Sequence, residues 1–296
     1  MGAAAVAGAP ISWGVCEVPG WGSQLPPERV LGELAGLGFT ATELGPLGWL
    51  PADPPALRAL LDRHGLTLVG GFVPLVLHDD DAMPSTLASA ATTCRLFAEA
   101  GARVVVAAVV ADANWAPRFR LDDDQLAIVA RNLEQVAGLA AAHDLELVLH
   151  PHVDTLVETA EDVDRLLAAT TVPVCLDTGH LLIGGYDPCA FIARHGARIA
   201  HVHLKDVDAT LAQRVRVGEL SLLAATQAGL FRPLGQGDAA IAAVAGLLEG
   251  LGYDRWVVLE QDTALAGQEP PAGSGPVDDV RASLDFIAER APRAGG

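Results

Sequence analysis

Apolar, β-branched runs bounded by turn residues alternate along the chain with stretches whose apolar residues recur at i, i+3 and i+4. That is the pattern of repeated βα units. Eight runs read as strands: 10–15, 39–44, 67–73, 103–109, 146–150, 172–177, 198–204 and 256–260. Among the helical stretches, 27–37 carries Pro27 at its start and Gly38 just past its end. Another, 121–143, opens on Asp122, Asp123 and Asp124, which suit the positive end of a helix dipole. A third, 239–251, stops at Gly252, and 277–290 follows a Pro/Gly-rich surface loop at 264–276. Eight such pairs predict an α/β fold, a closed (β/α)8 TIM barrel, with residues 1–296 as a single domain. The competing fold, an open doubly wound sheet, would carry a Gly-rich phosphate turn after its first strand. Residues 12–14 offer no G-x-G-x-x-G.

Composition narrows the setting. A chain of 296 residues, 51% hydrophobic, has the material for one large core. No apolar run of 18 or more is free of charges and breakers, so no membrane span is expected. The first ten residues are small and apolar without a basic residue, which argues against a secretory signal. Val6 stands where myristoylation after Met1-Gly2 would want Ser or Thr. A formal charge of −18 excludes nucleic acid as a partner and is read as a solubilising surface. Cys16, Cys94, Cys175 and Cys189 show no C-x-x-C spacing, as expected of reduced thiols in a cytoplasmic protein. A homo-oligomer is compatible with all of this.

In a barrel, chemistry collects at the C-terminal ends of the strands. The sixth strand runs into Asp177-Thr178-Gly179-His180, placing a carboxylate at the rim and an imidazole beyond it; the plain alternative is an N-cap Asp with a surface His. In the seventh, alternation puts His201, His203 and Lys205 on one face, a set too polar for ordinary core packing. The eighth ends in Glu260, which joins Asp177 and His203 as an O/N ligand set from adjacent strands. Such ligands suit Mn²⁺, Co²⁺, Mg²⁺ or Zn²⁺. The fifth strand ends in His150-Pro151-His152, and Glu158 in the following loop can fold back as a fourth ligand or simply favour a helix start. Glu43 ends the second strand, and Trp13 and Glu17 follow the first, where either can shape a pocket. His64, His143 and His195 fall at helix ends, where capping explains them, and His78 has no assignable role.

These motifs resemble the xylose-isomerase-like barrel superfamily of sugar isomerases and epimerases, through Asp-Thr-Gly-His (177–180), His-x-His-Leu-Lys-Asp (201–206) and Leu-Glu (259–260). The inosose dehydratase branch is the closer match. Its features stand here as Pro-Ile-Ser-Trp-Gly (10–14), Thr-Glu-Leu-Gly-Pro (42–46) and His150-x-His152-x-x-Thr155-x-x-Glu158-Thr159. The resemblance implies one divalent metal, Mn²⁺ or Co²⁺ ahead of Mg²⁺ or Zn²⁺, held by Glu158, Asp177, His203 and Glu260. Many members carry a Glu at the end of strand five where this chain has His150, so His150 or His152 is the alternative first ligand. Asp154 also departs from the Gly common in the branch.

The implied chemistry is removal of a proton next to a carbonyl, with the enediolate charge stabilised by the metal. Elimination of a β-hydroxyl from a keto-inositol or related keto-sugar follows, giving a lyase. The alternative is a metal-dependent ketose isomerase or epimerase. Lys205, His152, Glu43 and Glu158 are the proton-transfer candidates, Lys205 because a dication nearby would lower its pKa. Trp13, His150, His180 and His201 are the candidates for holding the small polyol substrate. A phosphoester hydrolase would want more metals and more histidines, and a non-catalytic sugar-binding barrel would need neither the full ligand set nor Lys205.

Overall fold

A barrel lumen is narrow, so the strands that line it need small or β-branched inward side chains. The computed structural model, which describes residues 5–290, meets that demand with nine strands in one parallel sheet. They are β1 (Val6–Gly8), β2 (Ala41–Thr42), β3 (Thr67–Leu68), β4 (Gly70–Leu75), β5 (Val104–Val109), β6 (Glu146–Leu149), β7 (Val174–Asp177), β8 (Ile199–Leu204) and, last, β11 (Val257–Leu259). A separate antiparallel pair, β9 (Asp206–Val207) and β10 (Phe231–Arg232), lies between β8 and β11 in the chain. The sheet order is β3-β2-β1-β11-β8-β7-β6-β5-β4.

Its two ends are consecutive in the chain. Val69 joins β3 to β4, its N–H donating to Thr42 and its carbonyl accepting from Arg103 and Val104. The predicted strand 67–73 is thus one barrel strand broken at a single residue, and the ring is the eightfold barrel read from the sequence. Gly70 follows because the backbones close in tightly: a Cβ there would lie 2.3 Å from the Val104 carbonyl oxygen. At the opposite side β1 pairs with β11, joining strands from either end of the sequence.

Ala7, Ala9, Ala41, Val69 and Val258 pack together inside the barrel, with Val104, Val106, Val148 and Cys175 alongside. Outward residues such as Val105, Leu147, Val202 and Leu259 belong to the main core under the helices. That division explains the one misplaced strand. The predicted 10–15 is a 3-10 turn, Pro10–Trp13, and the strand is Val6–Gly8. Its sequence, Val6-Ala7-Gly8, lacks the bulk that marks a strand, because Ala7 faces the crowded lumen and Gly8 lies close against Leu34 and Phe39, while Pro10 has no N–H for a ladder. Residues 1–4 of the apolar leader lie outside the described residues.

Around the barrel run α1 (Pro27–Gly36), α2 (Pro54–Arg63), α3 (Met83–Ala100), α4 (Asp123–Ala141), α5 (Ala160–Ala169), α6 (Thr178–Ile183), α7 (Pro188–His195), α10 (Ile241–Gly250) and α11 (Pro276–Arg290). Asp122 caps α4 in a capping box with Gln125, so the aspartate run does mark its start. The short α8 (Ala209–Arg216) and α9 (Leu222–Gln227) form an excursion between β9 and β10 that the periodicity did not announce. Among the described residues, no helix is long and apolar enough to cross a membrane.

Candidate metal centre and substrate cavity

The C-terminal ends of β7, β8 and β11 bring Asp177, His203 and Glu260 together, each buried, with ligand atoms within 4.8 Å of one another. The strands set this directly, since Asp177 pairs in register with His203, and Glu260 follows the β11 residue paired with Leu204. Beneath them, Glu43 Oε1 accepts from His201 Nε2 at 2.9 Å and from His203 Nε2 at 3.2 Å. A hydrogen on His203 Nε2 leaves the lone pair on Nδ1, and Nδ1 makes no hydrogen bond. It lies 3.0 Å from Glu260 Oε2 and 3.6 Å from Asp177 Oδ2. A lone pair and two carboxylate oxygens converging in a buried place require positive charge among them. The donor set fits a divalent cation of the hard-to-borderline kind.

The protein's own groups show the same demand. Burial works against a charged His203, yet Cys175, Glu260 and Glu43 hold its imidazole well above the usual histidine range, so with no cation among the carboxylates a proton takes the place of the Nδ1 lone pair. Lys205 Nζ lies 3.1 Å from Glu260 Oε2, 3.4 Å from Asp177 Oδ2, 2.8 Å from Asp262 Oδ1 and 2.8 Å from His180 Nε2. Burial lowers it, but Asp177, Asp262 and Glu260 outweigh that and hold its proton well above the usual lysine range. The expected lowering of Lys205 is that of a dication beside it; the three carboxylates act in the opposite sense. Burial likewise raises Asp177, and Lys205 and His180 overcome it, keeping this carboxyl well below the carboxylate range. Asp177 also caps α6, its Oδ1 accepting from the His180 amide at 2.8 Å, so the N-cap and the rim carboxylate are the same residue.

Glu158 does not join this group. Its Oε2 accepts from the Asp154 amide at 2.9 Å and lies 3.3 Å from Arg118 Nε, and it belongs to none of the metal-competent clusters of the described residues. The physical reason is local: the carboxylate stabilises the amide of Asp154, whose φ of 63° is left-handed, and neutralises Arg118. Arg118 also donates to the Thr155 carbonyl and to Asp162. His150, at the strand end, lies 3.3 Å from Asp177 Oδ2 instead.

Trp13 is a second correction. It is fully buried in the main core and its indole donates to Glu33 on α1, away from the cavity. Glu43, expected among the proton-transfer groups, has one oxygen taken by two histidines. Burial raises its carboxyl, but the charge of His203 and the bonds from His201 and His203 pull it below the usual range, fixing it as the anchor of both rings. His201 and His180 do not reach the cavity surface.

A cavity of about 450 Å³ opens above the cluster. His150, His203, Lys205 and Glu260 line it on one side, and His152 on the other. His152 Nδ1 lies 2.6 Å from the Val153 carbonyl, which can only accept, so Nδ1 carries the hydrogen and Nε2 a lone pair. Trp115 stacks on Phe72 at 6.1 Å and 15°, with His152 6.1 Å from Trp115, making an aromatic wall. Trp115 is held at φ 60° by Asp112, whose Oδ1 accepts from the amides of Asn114 and Ala116 on either side. The motif reading passed over Trp115, Phe72 and Asp262. Asp262 was within reach, two residues past Glu260 on the same side of the extended chain; a loop tryptophan has no periodicity to betray it.

An eightfold barrel with carboxylates and histidine at neighbouring strand ends is a class of architecture built for small-molecule chemistry at one face. The chain belongs to the xylose isomerase-like TIM barrel family, whose profile matches residues 31–290. It is 34% identical over 272 residues to the inosose dehydratase of Geobacillus kaustophilus (strain HTA426), covering 87% of this chain and 88% of that protein. The structure of an L-ribulose 3-epimerase superposes with a TM-score of 0.70 at 18% identity, covering 97% of this chain and 94% of that one. The IolI protein with a bound zinc atom gives a TM-score of 0.70 at 14% identity, covering 96% and 97%.

Proposed function

We propose that the chain is a single-domain, cytoplasmic, metal-dependent dehydratase that removes water from a keto-inositol. The observation that carries it is the convergence of the free Nδ1 of His203 with Glu260 Oε2 and Asp177 Oδ2 at the cavity floor. Asp177, His203 and Glu260 would hold one divalent ion, with His150 completing the set in place of Glu158. The zinc in the IolI barrel and the inosose dehydratase relative support the ion and the substrate class respectively. When bound, the ion supplies positive charge beside a substrate carbonyl and so acidifies the neighbouring C–H.

The protein's residues do the rest. His152, on the cavity wall with its lone pair on Nε2, takes the α-proton. The Lys205 ammonium, fixed by Asp177, Glu260 and Asp262, stabilises negative charge growing on a substrate oxygen. Trp115 and Phe72 offer a flat apolar face, which suits the axial C–H face of a cyclohexane polyol with equatorial hydroxyls. Offering scyllo-inosose to Mn²⁺-loaded protein should give a product lighter by one water, with new ultraviolet absorbance, identified by NMR. Products of unchanged mass would instead make the protein an isomerase or epimerase.

A further inference from the structure

Every carboxylate at the cavity floor is engaged by a cation or an imidazole: Asp177, Glu260 and Asp262 by Lys205, and Glu43 by His201 and His203. Glu17 is not. It follows the 3-10 turn after β1, half-buried, and lines the cavity with Cys16 and Trp21. Among the described residues no side chain pairs with it; its one hydrogen-bonding group is its own backbone amide. A half-buried glutamate lining the cavity, its carboxyl met by no other of the described residues, is a group left for a ligand.

Its charge state fits a donor. Burial chiefly, helped by Asp262 and Glu260 and opposed by its own amide and Lys205, pushes the Glu17 carboxyl up to about 7. The geometry also separates it from the abstracting side. Glu17 belongs to the wall made by the segment after β1, and His152 to the wall made by the segment after β6.

We propose that Glu17 is the catalytic acid that gives its proton to the departing β-hydroxyl, a role that rests on the dehydratase reading. The α C–H bond breaks and its proton goes to His152. Its electron pair becomes the new C=C bond, the β C–O bond breaks with its pair to oxygen, and the Glu17 proton joins that oxygen to leave as water. Solvent then returns the proton from His152 to Glu17. The sum is substrate to unsaturated ketone plus water, with no oxidant or reductant.

The test separates the two half-steps. Mn²⁺-loaded Glu17→Gln, incubated with scyllo-inosose in D₂O and followed by NMR, should exchange the α-hydrogen within about threefold of the unsubstituted protein, while water loss falls about 10²-fold or more. Metal content should be unchanged, and Glu17→Asp, which keeps an acid, should recover part of the water loss. An analogue carrying fluoride in place of the departing hydroxyl needs little protonation, so Glu17→Gln should eliminate it nearly as fast as the unsubstituted protein. Water loss at the full rate in Glu17→Gln overturns the role, as does a parallel fall of exchange, water loss and fluoride loss. If the unsubstituted protein exchanges hydrogen but releases no water, the dehydratase reading itself fails and this role with it.

Discussion

The two sides of the cavity are built on different principles. On one side Asp177, His203, Lys205 and Glu260 stand on or directly after strands whose register fixes their spacing. On the other, Trp115, His152 and Asp154 stand on loops, two of them at left-handed φ, and the loops hold their shape through the Glu158–Arg118–Thr155 contacts. The strand-borne side concentrates charge and is almost wholly buried. The loop-borne side is aromatic and partly open. The comparison teaches that the groups needing sub-ångström mutual placement sit on the scaffold, while groups that select a substrate sit where sequence can change cheaply.

The hardest test of that division removes a strand-borne carboxylate. Asp177→Ala and Glu260→Ala should each abolish both metal binding and turnover, read by elemental analysis and product formation; full metal occupancy in both would break it. Lys205→Met should keep the metal and lose activity by about 10²-fold. Unchanged turnover would remove the lysine from the chemistry.

The loop-borne side should respond differently. Trp115→Ala should raise KM about tenfold with kcat nearly unchanged, as loss of a stacking face costs about 1.4 kcal/mol; a fall in kcat alone would place the tryptophan in the chemical step. Glu158→Gln should leave metal stoichiometry at that of the unsubstituted protein and lower activity only about threefold, the cost of one partly exposed ion pair. Loss of metal would return Glu158 to the ligand set. The smallest effect is expected of Asp154→Gly. Relief of its left-handed backbone should raise the urea midpoint by no more than about 1 kcal/mol in stability, and a lower midpoint would show that the aspartate side chain stabilises the loop.

The same division decided what the sequence could reveal. Asp177, His203, Lys205 and Glu260 were legible because an apolar strand is a ruler: once its end is found, the polar residues there must face the rim. The barrel was legible for the same reason, even with a break at Val69, since hydrogen bonds on both sides of that residue leave the alternation intact. Glu158 was not placed by the sequence because proximity to a strand end says nothing about which way a loop carboxylate turns; here it turns to Arg118, 40 positions earlier. Trp13 misled because the first strand was set several residues too late, so a core residue of the following turn was placed at the rim. The excursion through α8 and α9 was silent because helices of eight and six residues are too short to establish a period.

The pairing of β1 with β11 carries a consequence for how the protein matures. A ribosome delivers Asp177 and His203 well before Glu260, at position 260 of 296. Until β11 pairs with both β1 and β8 the cylinder is an open sheet with two unpaired edges, and the second carboxylate of the cluster is missing from its floor. The proposed ion would therefore find its full set of ligands only at ring closure, because a nascent chain stalled short of β11 lacks Glu260.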